Sequence, residues 1–375
     1  MIQRLQRVAV LGATGSVGSQ ALEVIDRYPD RFQLLGLVSG RRPAPRPAEV
    51  MIAAGDPDFD ARLEALVTDP RCDIVLVAIP GAVSLRPTLA ALAAGKTVAI
   101  ASKEVLVMAG QAVMAAARRP DQLRPVDSEH SALWQCLWGE SPASVSRLLL
   151  TASGGPFWSR PELPLEQVTV AEALRHPRWS MGPKVTVDSA TLMNKGLELI
   201  EAHHLFQVRL AAIDVVIHPQ SVVHSLVEFV DGSLKAQLGN PDMRLPIGLA
   251  LAYPERLPGV VQPTRLDGLE DLQFAALDGD RFPAVELCRE AARRAQCYPA
   301  VLNASNEEAV AAFLAGRIGF PAILAAVESA LAAWPGGGED LPAVLAADTF
   351  ARNHFRERLG TAKGKQASPS KTPPG

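Results

Sequence analysis

Residues 8–18 read Val-Ala-Val-Leu-Gly-Ala-Thr-Gly-Ser-Val-Gly, an apolar run that ends in a glycine-rich turn. The apolar run predicts a buried strand, and the residues after the turn predict a helix through Arg27. Gly12, Gly15 and Gly18 let the backbone turn tightly and approach a pyrophosphate, which the free N–H groups of the helix start would bind. This order of strand, turn and helix favours a nucleotide site over an ordinary glycine-rich connection.

The first third of the chain alternates predicted strands and helices. Apolar runs at 32–38, 73–79 and 97–100 predict strands, and the leucine and alanine residues of 88–94 predict a helix. Short, nearly all-apolar strands separated by helices are typical of a parallel sheet that is covered on both faces and binds ligands at the carboxyl ends of its strands. The proline-rich stretch 41–57 predicts an irregular connection rather than a full βα unit.

The remainder of the chain has a different pattern, and the fold class that we predict is α/β with three parts. They are an N-terminal Rossmann-like parallel sheet that binds the cofactor (1–125), an α+β catalytic domain (126–253) and a C-terminal helical bundle (284–358). A linker is expected at 254–283 and a disordered tail at 359–375.

Inside the catalytic domain, residues 153–182 predict a long irregular loop, which at that length is usually functional or disordered. Regular elements are expected after it: a strand at 184–187, a helix at 190–205, and strands at 214–217 and 221–230.

Composition excludes several classes of protein. The 375 residues are 48% hydrophobic and 21% charged, which supports packed cores, and the formal net charge of −3 gives no basic field for nucleic acid or a membrane surface. No run of about 18 uncharged apolar residues predicts a membrane-spanning helix, and no signal peptide is expected before the first strand. The four cysteines form no C-x-x-C pair and no zinc spacing, so we expect a cytoplasmic enzyme.

The end of the second predicted strand distinguishes the two nicotinamide cofactors. An NAD enzyme needs a carboxylate there to accept a hydrogen bond from the ribose 2′-hydroxyl, but residues 38–42 read Val-Ser-Gly-Arg-Arg. The guanidinium groups of Arg41 and Arg42 suit a 2′-phosphate, through charge-assisted and often bidentate contacts. NADPH is therefore the predicted cofactor, and solvated loop charges are the alternative interpretation of the two arginines.

Two acidic motifs could supply a metal site. In an extended segment Asp127 and Glu129 share a side, although an Asp-Ser-Glu triplet is more often the polar start of a helix. Asn194, Lys195 and Glu198 share one face of a predicted helix, which spacing alone would assign to a surface stripe.

Three carboxylates without histidine or thiolate would make an all-oxygen site that suits Mg²⁺ or Mn²⁺. Local pattern alone does not bring Asp127, Glu129 and Glu198 together. Asp188, at the start of the second motif, is expected to be a helix cap.

Six motifs in this order are highly specific: VDSEH (126–130), TASGGPF (151–157), HPRWSMGPK (176–184), VDSATLMNKGLE (187–198), IHPQSVVHS (217–225) and LGNPDMR (238–244). With them the sequence resembles the 1-deoxy-D-xylulose 5-phosphate reductoisomerase family, the NADPH-dependent enzymes of the non-mevalonate isoprenoid route. The resemblance runs from the glycine turn to the predicted helix NASNEEAVAAFL (303–314).

The resemblance implies a role for each matching residue. It implies that the catalytic divalent ion is bound by Asp127, Glu129 and Glu198, and that the substrate phosphate is held by Ser153, Ser189, Asn194 and Lys195. It places His176 and Trp179 on a lid over the substrate, and Lys103 and Ser128 in contact with the substrate. The implied cofactor contacts are Thr14, Gly15, Ser16, Val17, Gly40, Arg41, Arg42, Ser102, Glu104 and Gly182.

Three departures from the family pattern accompany this resemblance. Ser102 stands where the family usually has asparagine, so the contact on the nicotinamide side is in question. The stretch 42–69 is shorter than usual, so part of the adenosine side is expected to be trimmed. The polar tail has no counterpart in the family pattern.

The implied reaction converts 1-deoxy-D-xylulose 5-phosphate into 2-C-methyl-D-erythritol 4-phosphate by a retro-aldol/aldol rearrangement followed by hydride transfer from NADPH. The implied partners are a small phosphorylated sugar and a second copy of the chain, without nucleic acid or membrane. A semialdehyde dehydrogenase also begins with such a glycine turn, but it needs a thiolate, and Cys136 lies in an apolar helix. A non-catalytic NADPH-binding regulator is the alternative from another class, and it has no reason to keep the acids, lid and phosphate donors together.

Overall fold

The computed structural model describes residues 4–40, 42–176, 181–269 and 271–366. Arg41 and Trp179, two of the predicted site residues, lie outside the described residues.

The first sheet consists of six parallel strands: β1 (Gln6–Leu11), β2 (Phe32–Ser39), β3 (Val50–Ala53), β4 (Ile74–Val77), β5 (Thr97–Ile100) and β6 (Leu123–Pro125). All neighbouring strands pair in parallel, which confirms the parallel sheet that the alternating pattern predicts, and their order across the sheet is β3-β2-β1-β4-β5-β6. The order reverses between β1 and β4, and doubly wound sheets bind ligands at such a point, beyond the carboxyl ends of the strands.

Helices cover both faces of this sheet: α1 (Ser16–Arg27), α2 (Phe59–Thr68), α3 (Leu85–Ala93), α4 (Lys103–Ala116) and, from later in the chain, α9 (Arg244–Ala252). Alternate residues of β1 enter two different cores, because successive side chains of a strand point to opposite faces. Val8 and Val10 pack with α1 and α9, whereas Ala9 and Leu11 pack with α2, α3 and α4. This two-sided burial explains why the strands are almost entirely apolar.

The expectation of an irregular connection at 41–57 is wrong for its second half. Residues Val50–Ala53 form β3, which pairs with β2 in parallel, and α2 follows it. Met51 on β3 remains exposed, as is common at a sheet edge. The prolines upstream are compatible with the strand because they lie before it rather than within it.

A second sheet contains β7 (Val145–Ala152), β8 (Ile213–Ile217), β9 (Val223–Phe229), β10 (Leu234–Leu238) and β11 (Ala275–Ala276), in the order β10-β9-β7-β8-β11. Only the β7–β8 pair is parallel among the described strands of this sheet. Helix α5 (Ser128–Leu137) packs against β9 and β10 and joins this sheet to the end of the first.

Residues 184–187, predicted as a strand, belong to helix α7 (Pro183–Thr191), so that prediction is wrong. The β-branched residues suggested a strand, but Pro183 in the first turn is a favourable helix start. Helix α8 (Met193–Phe206) follows after a bend at Leu192, whose φ of 60° is left-handed. Asp188 lies inside α7 and is buried, so it is not a helix cap.

The C-terminal part contains α10 (Ala284–Arg294), α11 (Tyr298–Leu314), α12 (Pro321–Ala333) and α13 (Leu341–Gln366), which confirms the helical prediction. Helix α13 continues through 359–366, so the first part of the predicted tail is helical. The rest lies outside the described residues. The described part of the predicted loop contains the short helix α6 (Val170–Ala173) and a 3-10 turn at Leu165–Gln167. Among the described helices, none combines the length and the apolar character that crossing a bilayer requires.

Candidate active site

One cavity of about 220 Å³ brings most of the predicted site residues together. It lies beyond the carboxyl ends of β1, β5 and β6, and α7 and α8 form its other wall. Its lining includes Ser16, Val17, Lys103, Asp127, Ser128, Glu129, Ser153, His176, Gly182, Ser189, Asn194, Lys195 and Glu198. We call Ser16, Val17 and Gly182 the cofactor half of the cavity, and Lys103, Asp127, Glu129, Lys195 and Glu198 its substrate half.

Asp127 and Glu129 reach the cavity from the first turn of α5. Asp127 is the N-cap of that helix, because its Oδ1 accepts a hydrogen bond of 3.1 Å from the backbone N–H of Glu129. Ser128 donates to Glu129 Oε2 at 2.6 Å. The triplet is therefore a helix start, as one interpretation predicts. Its two acids also point towards the same place, although Glu129 is helical and not extended.

Glu198 completes the acidic cluster from the middle of α8. It is 1% exposed, and one oxygen from each of Asp127, Glu129 and Glu198 lies within 4.8 Å of the others. The surface-stripe interpretation of its helix face is excluded, because Lys195 on the same face is also buried.

Two ammonium groups hold these carboxylates together. Lys103 Nζ lies 3.0 Å from Asp127 Oδ2 and 3.0 Å from Glu198 Oε1, and it donates to Asn194 Oδ1 at 2.7 Å. Lys195 Nζ lies 3.1 Å from Glu129 Oε1 and also pairs with Glu198 Oε2. Each carboxylate of the cluster therefore faces at least one cation.

The charges of the cluster shift one another's pKa values. Burial opposes the charge of Asp127, but Lys103 and His130 hold the pKa of its carboxyl well below its usual range. Burial, followed by the neighbouring Glu198 carboxylate, raises the pKa of Glu129 to about 7. Burial also opposes the charge of Lys103, but the Asp127 and Glu198 carboxylates raise the pKa of that ammonium well above its usual range.

His130 contacts the Asp127 carboxylate, and the sequence analysis assigns it no role. Its Nδ1 lies 2.9 Å from Asp127 Oδ1 and its Nε2 lies 2.9 Å from the carbonyl oxygen of Glu198. Both partners are acceptors, so both ring nitrogens carry protons. Burial opposes this charge, but Glu201, 3.6 Å away, and Asp127 raise the pKa of His130 to about 9.

Polar donors line the wall next to the cluster, where the resemblance implies the substrate phosphate. Ser153 follows β7, Ser189 lies in the last turns of α7, and Asn194 and Lys195 begin α8 after the bend. Ser153 Oγ and His176 Nε2 share a hydrogen bond of 3.1 Å. Two hydroxyls, an amide and an ammonium are enough donors for a small dianion.

The glycine turn positions Ser16 and Val17 of the cofactor half, and it does so through backbone geometry rather than through charged side chains. Gly12 has a φ of +91°, and a Cβ there would lie 2.4 Å from the carbonyl oxygen of Ala78, so the turn requires glycine. A Cβ at Gly18 would lie 2.2 Å from the carbonyl oxygen of Gly12, which keeps the start of α1 close to β1. Ser16 and Val17, at the N-terminus of α1, line the cavity.

Six described residues with implied cofactor roles do not line the cavity: Thr14, Gly15, Gly40, Arg42, Ser102 and Glu104. Gly40 and Arg42 are exposed beyond the end of β2. Ser102 is buried, and its hydroxyl donates to the carbonyl oxygen of Ile79 at 2.6 Å rather than to a group in the cavity.

Sequence reasoning also missed part of the lining, including Gln20, Met181, Ser221 and Met243. Met181, Ser221 and Met243 lie in the motifs HPRWSMGPK, IHPQSVVHS and LGNPDMR, which carry the resemblance, but no role is assigned to these three residues. Motif membership is therefore the available signal for them.

The donor set fits the groups that the sequence implies. Asp127, Glu129 and Glu198 each offer a carboxylate oxygen within 4.8 Å of the others, as a hard divalent ion requires. The turn at Gly12 and the free N–H groups of α1 fit a pyrophosphate.

Three family models match the chain. The model described as 1-deoxy-D-xylulose 5-phosphate reductoisomerase matches residues 8–49 and 59–110. The model described as the C-terminal domain of 1-deoxy-D-xylulose 5-phosphate reductoisomerase matches residues 123–206, and the one described as the DXP reductoisomerase C-terminal domain matches residues 238–354.

Curated relatives and solved structures agree with these models. The 1-deoxy-D-xylulose 5-phosphate reductoisomerase of Mycobacterium ulcerans (strain Agy99) is 51% identical over 86% of this chain and 84% of its own length. That of Pseudomonas fluorescens (strain SBW25) is 50% identical over 87% and 91%. A crystal structure of DOX-P reductoisomerase in complex with NADPH, fosmidomycin and magnesium has a TM-score of 0.85 and 38% identity, covering 96% of this chain and 99% of its own. The enzyme from Zymomonas mobilis in complex with NADPH has a TM-score of 0.84 and 39% identity, covering 95% and 99%.

Proposed function

The chain belongs to the 1-deoxy-D-xylulose 5-phosphate reductoisomerase family, and from this premise we propose that its central cavity is the site of that family's reaction. The chain is an NADPH- and divalent-metal-dependent oxidoreductase that converts 1-deoxy-D-xylulose 5-phosphate into 2-C-methyl-D-erythritol 4-phosphate. The observation that carries the proposal for the cavity is its lining, where the start of α1, three carboxylates and four polar donors meet.

Asp127, Glu129 and Glu198 are the proposed ligands of Mg²⁺ or Mn²⁺. At this site the ion would supply Lewis acidity towards the substrate carbonyl, and NADPH would supply the hydride. Lys103 keeps Asp127 and Glu198 turned towards the same point through its two contacts of 3.0 Å. Ser128 does the same for Glu129, because its hydroxyl donates to that carboxylate.

Ser153, Ser189, Asn194 and Lys195 are the proposed phosphate ligands. Lys195 supplies a full positive charge at a buried position, where its attraction for a dianion is screened less than at the surface. Binding the phosphate away from the reacting carbons would position the substrate for carbon–carbon cleavage and re-formation. We propose that this retro-aldol/aldol rearrangement precedes hydride transfer, with the predicted loop 153–182, including His176 and Trp179, as a lid.

The cofactor half would receive NADPH on the N-terminus of α1, with Thr14 to Val17 on the pyrophosphate side. Gly40, Arg41 and Arg42 remain the proposed contacts of the 2′-phosphate, since β2 carries no acidic residue at its end. Ser102, Glu104 and Gly182 remain proposed contacts on the nicotinamide side.

A homodimer in the cytoplasm is the proposed state of the enzyme. β10 lies at an edge of the described second sheet, and Leu234 and Leu238 on it are 56% and 38% exposed. Val230, just before it, is 71% exposed, so an apolar strip lies along an edge that could pair with a second copy.

The domain boundaries at 125 and 253 remain proposals.

The experiment that tests the function is NADPH oxidation by the purified chain with 1-deoxy-D-xylulose 5-phosphate and Mn²⁺. We expect loss of absorbance at the reduced nicotinamide band and a product with the mass of 2-C-methyl-D-erythritol 4-phosphate. Chelation should abolish turnover, and added Mn²⁺ or Mg²⁺ should restore it. Folded protein that binds NADPH but gives no turnover would favour the regulator instead.

The semialdehyde dehydrogenase alternative loses support from the structure. Its reaction needs an accessible thiolate, but Cys136 is buried in α5, and burial raises the pKa of its thiol to about 11. Cys136 is also absent from the lining of the cavity that holds the three acids.

A further inference from the structure

Asp188 is a buried carboxylate that the reaction described above does not use. It is 1% exposed, and it is not among the residues that line the cavity. Lys184 Nζ, one turn earlier in α7, lies 2.8 Å from Oδ2. Asn306 in α11, a helix of the C-terminal part, donates to Oδ1 at 2.8 Å. The two oxygens are therefore held from two different helices.

Lys184 extends this cluster to a third helix. Its Nζ lies 3.5 Å from Oε1 of Glu104, which is in the first turn of α4 and directly follows Lys103. Burial opposes the charge of Lys184, but Asp188 and Glu104 raise the pKa of its ammonium above its usual range. We name Glu104, Lys184, Asp188 and Asn306 the Asp188 cluster.

The Asp188 cluster joins three helices through polar contacts whose desolvation costs free energy of folding. Buried ion pairs lose their hydration, and apolar residues of similar volume often give equal or greater stability. Asn306 is fully buried, and its Oδ1 has no hydrogen-bond partner among the described residues. An alanine or leucine would avoid that cost, so the cluster is better explained by the orientation that it imposes than by stability.

The cluster lies next to the wall of the cavity that carries three of the proposed phosphate ligands, Ser189, Asn194 and Lys195. Ser189 directly follows Asp188, and after the bend at Leu192 the chain continues into Asn194 and Lys195. We propose that Asn306, Asp188 and Lys184 are positioning residues, which hold α7 so that the Ser189 hydroxyl faces the substrate phosphate. This inference rests on the proposed phosphate site, and it gives the C-terminal helices a part in substrate affinity.

Asn306→Ala removes the contact from α11 without touching the cavity. We expect the KM for 1-deoxy-D-xylulose 5-phosphate to rise roughly ten-fold, with kcat changed by less than about three-fold and the KM for NADPH unchanged. The dissociation constant of inorganic phosphate, measured by calorimetry without turnover, should rise by a similar factor.

Asn303→Ala is the matched control. Asn303 lies one turn earlier in α11 and is equally buried, but its amide donates to Glu307 on the same helix. It should lower the melting temperature about as much as Asn306→Ala while leaving the KM and the phosphate affinity unchanged. Equal effects of the two substitutions on phosphate affinity, or none from Asn306→Ala, would overturn the inference.

Lys184→Met is a second variant in case Asn306→Ala does not fold. It removes the ammonium from a residue with a side-chain exposure of 26%, and it should also weaken phosphate binding. Unchanged phosphate affinity in folded Lys184→Met would overturn the inference as well. Wild-type protein that binds phosphate but does not turn over would instead refute the proposed function, because the calorimetric comparison does not depend on turnover.

Discussion

The two halves of the cavity use different chemical groups, backbone amides in one and charged side chains in the other. Apart from Gly182 at the start of α7, the cofactor half comes from one strand–turn–helix unit, and it offers backbone N–H groups and glycine geometry. The substrate half combines five charged side chains, all of them largely buried. One lies at the start of α4, two lie at the start of α5 and two lie on α8. A backbone site tolerates many side-chain exchanges, whereas buried charges that balance one another do not. We therefore expect mutations to divide the two halves by the size of their effects.

The largest effect should come from Glu198→Gln in the substrate half. The amide keeps the shape of the side chain but removes a charge that faces both Lys103 and Lys195. We expect kcat/KM to fall by about 10³-fold or more, because charge stabilisation in the transition state is lost. The dissociation constant of NADPH, measured by fluorescence titration, should change less than about two-fold.

Leu199→Met, at the next position of α8, is the matched control for helix packing, because Leu199 is buried but does not line the cavity. Near-normal turnover in Glu198→Gln would remove Glu198 from the ligand set. A large loss of NADPH affinity would show that the halves are not separate.

Lys195→Ala should have an intermediate effect and shows whether affinity and rate separate within the substrate half. Loss of one charged contact to a phosphate should raise the KM for the substrate about 10- to 100-fold. Steady-state kinetics with Lys195→Arg as the charge-conserving control provide the measurement. If kcat fell while the KM stayed constant, Lys195 would belong to the chemistry rather than to the phosphate site.

The smallest effect should come from Arg42→Gln, at the proposed 2′-phosphate contact outside the cavity, beyond the end of β2. Arg42 is exposed, so its contact with a 2′-phosphate is screened by solvent, and we expect the KM for NADPH to rise only about 3- to 10-fold. The KM for NADH should not change, because that cofactor lacks the phosphate. Comparing the two cofactors in one assay at low and high salt measures this. An equal rise for both would contradict the assignment of Arg42.

The same contrast explains what the sequence could predict. Local pattern predicted β1, its turn and α1, because an apolar strand, required glycines and a helix start are adjacent in the chain. It could not bring Glu198 to Asp127, because their meeting depends on how α8 packs against α5, about 70 residues away in sequence. The motif resemblance supplied that contact.

The errors have physical causes too. Residues 184–187 have strand-like side chains, but packing places them in α7, where Asp188 becomes a buried partner of Asn306 rather than a cap. No local signal marks that long-range pair. The sequence does not predict β3, because the prolines before it indicate an irregular connection and the edge strand itself is only four residues long.

The four thiols of the chain, Cys72, Cys136, Cys288 and Cys297, are all buried. Burial raises the pKa of Cys72, Cys136 and Cys297 to about 11, and it raises the pKa of Cys288 further. Maleimides react with the thiolate, so the native protein should resist them. An exposed cysteine introduced as Ala171→Cys in α6 could then carry a single fluorophore, and a change in its emission on addition of substrate would test whether the proposed lid closes.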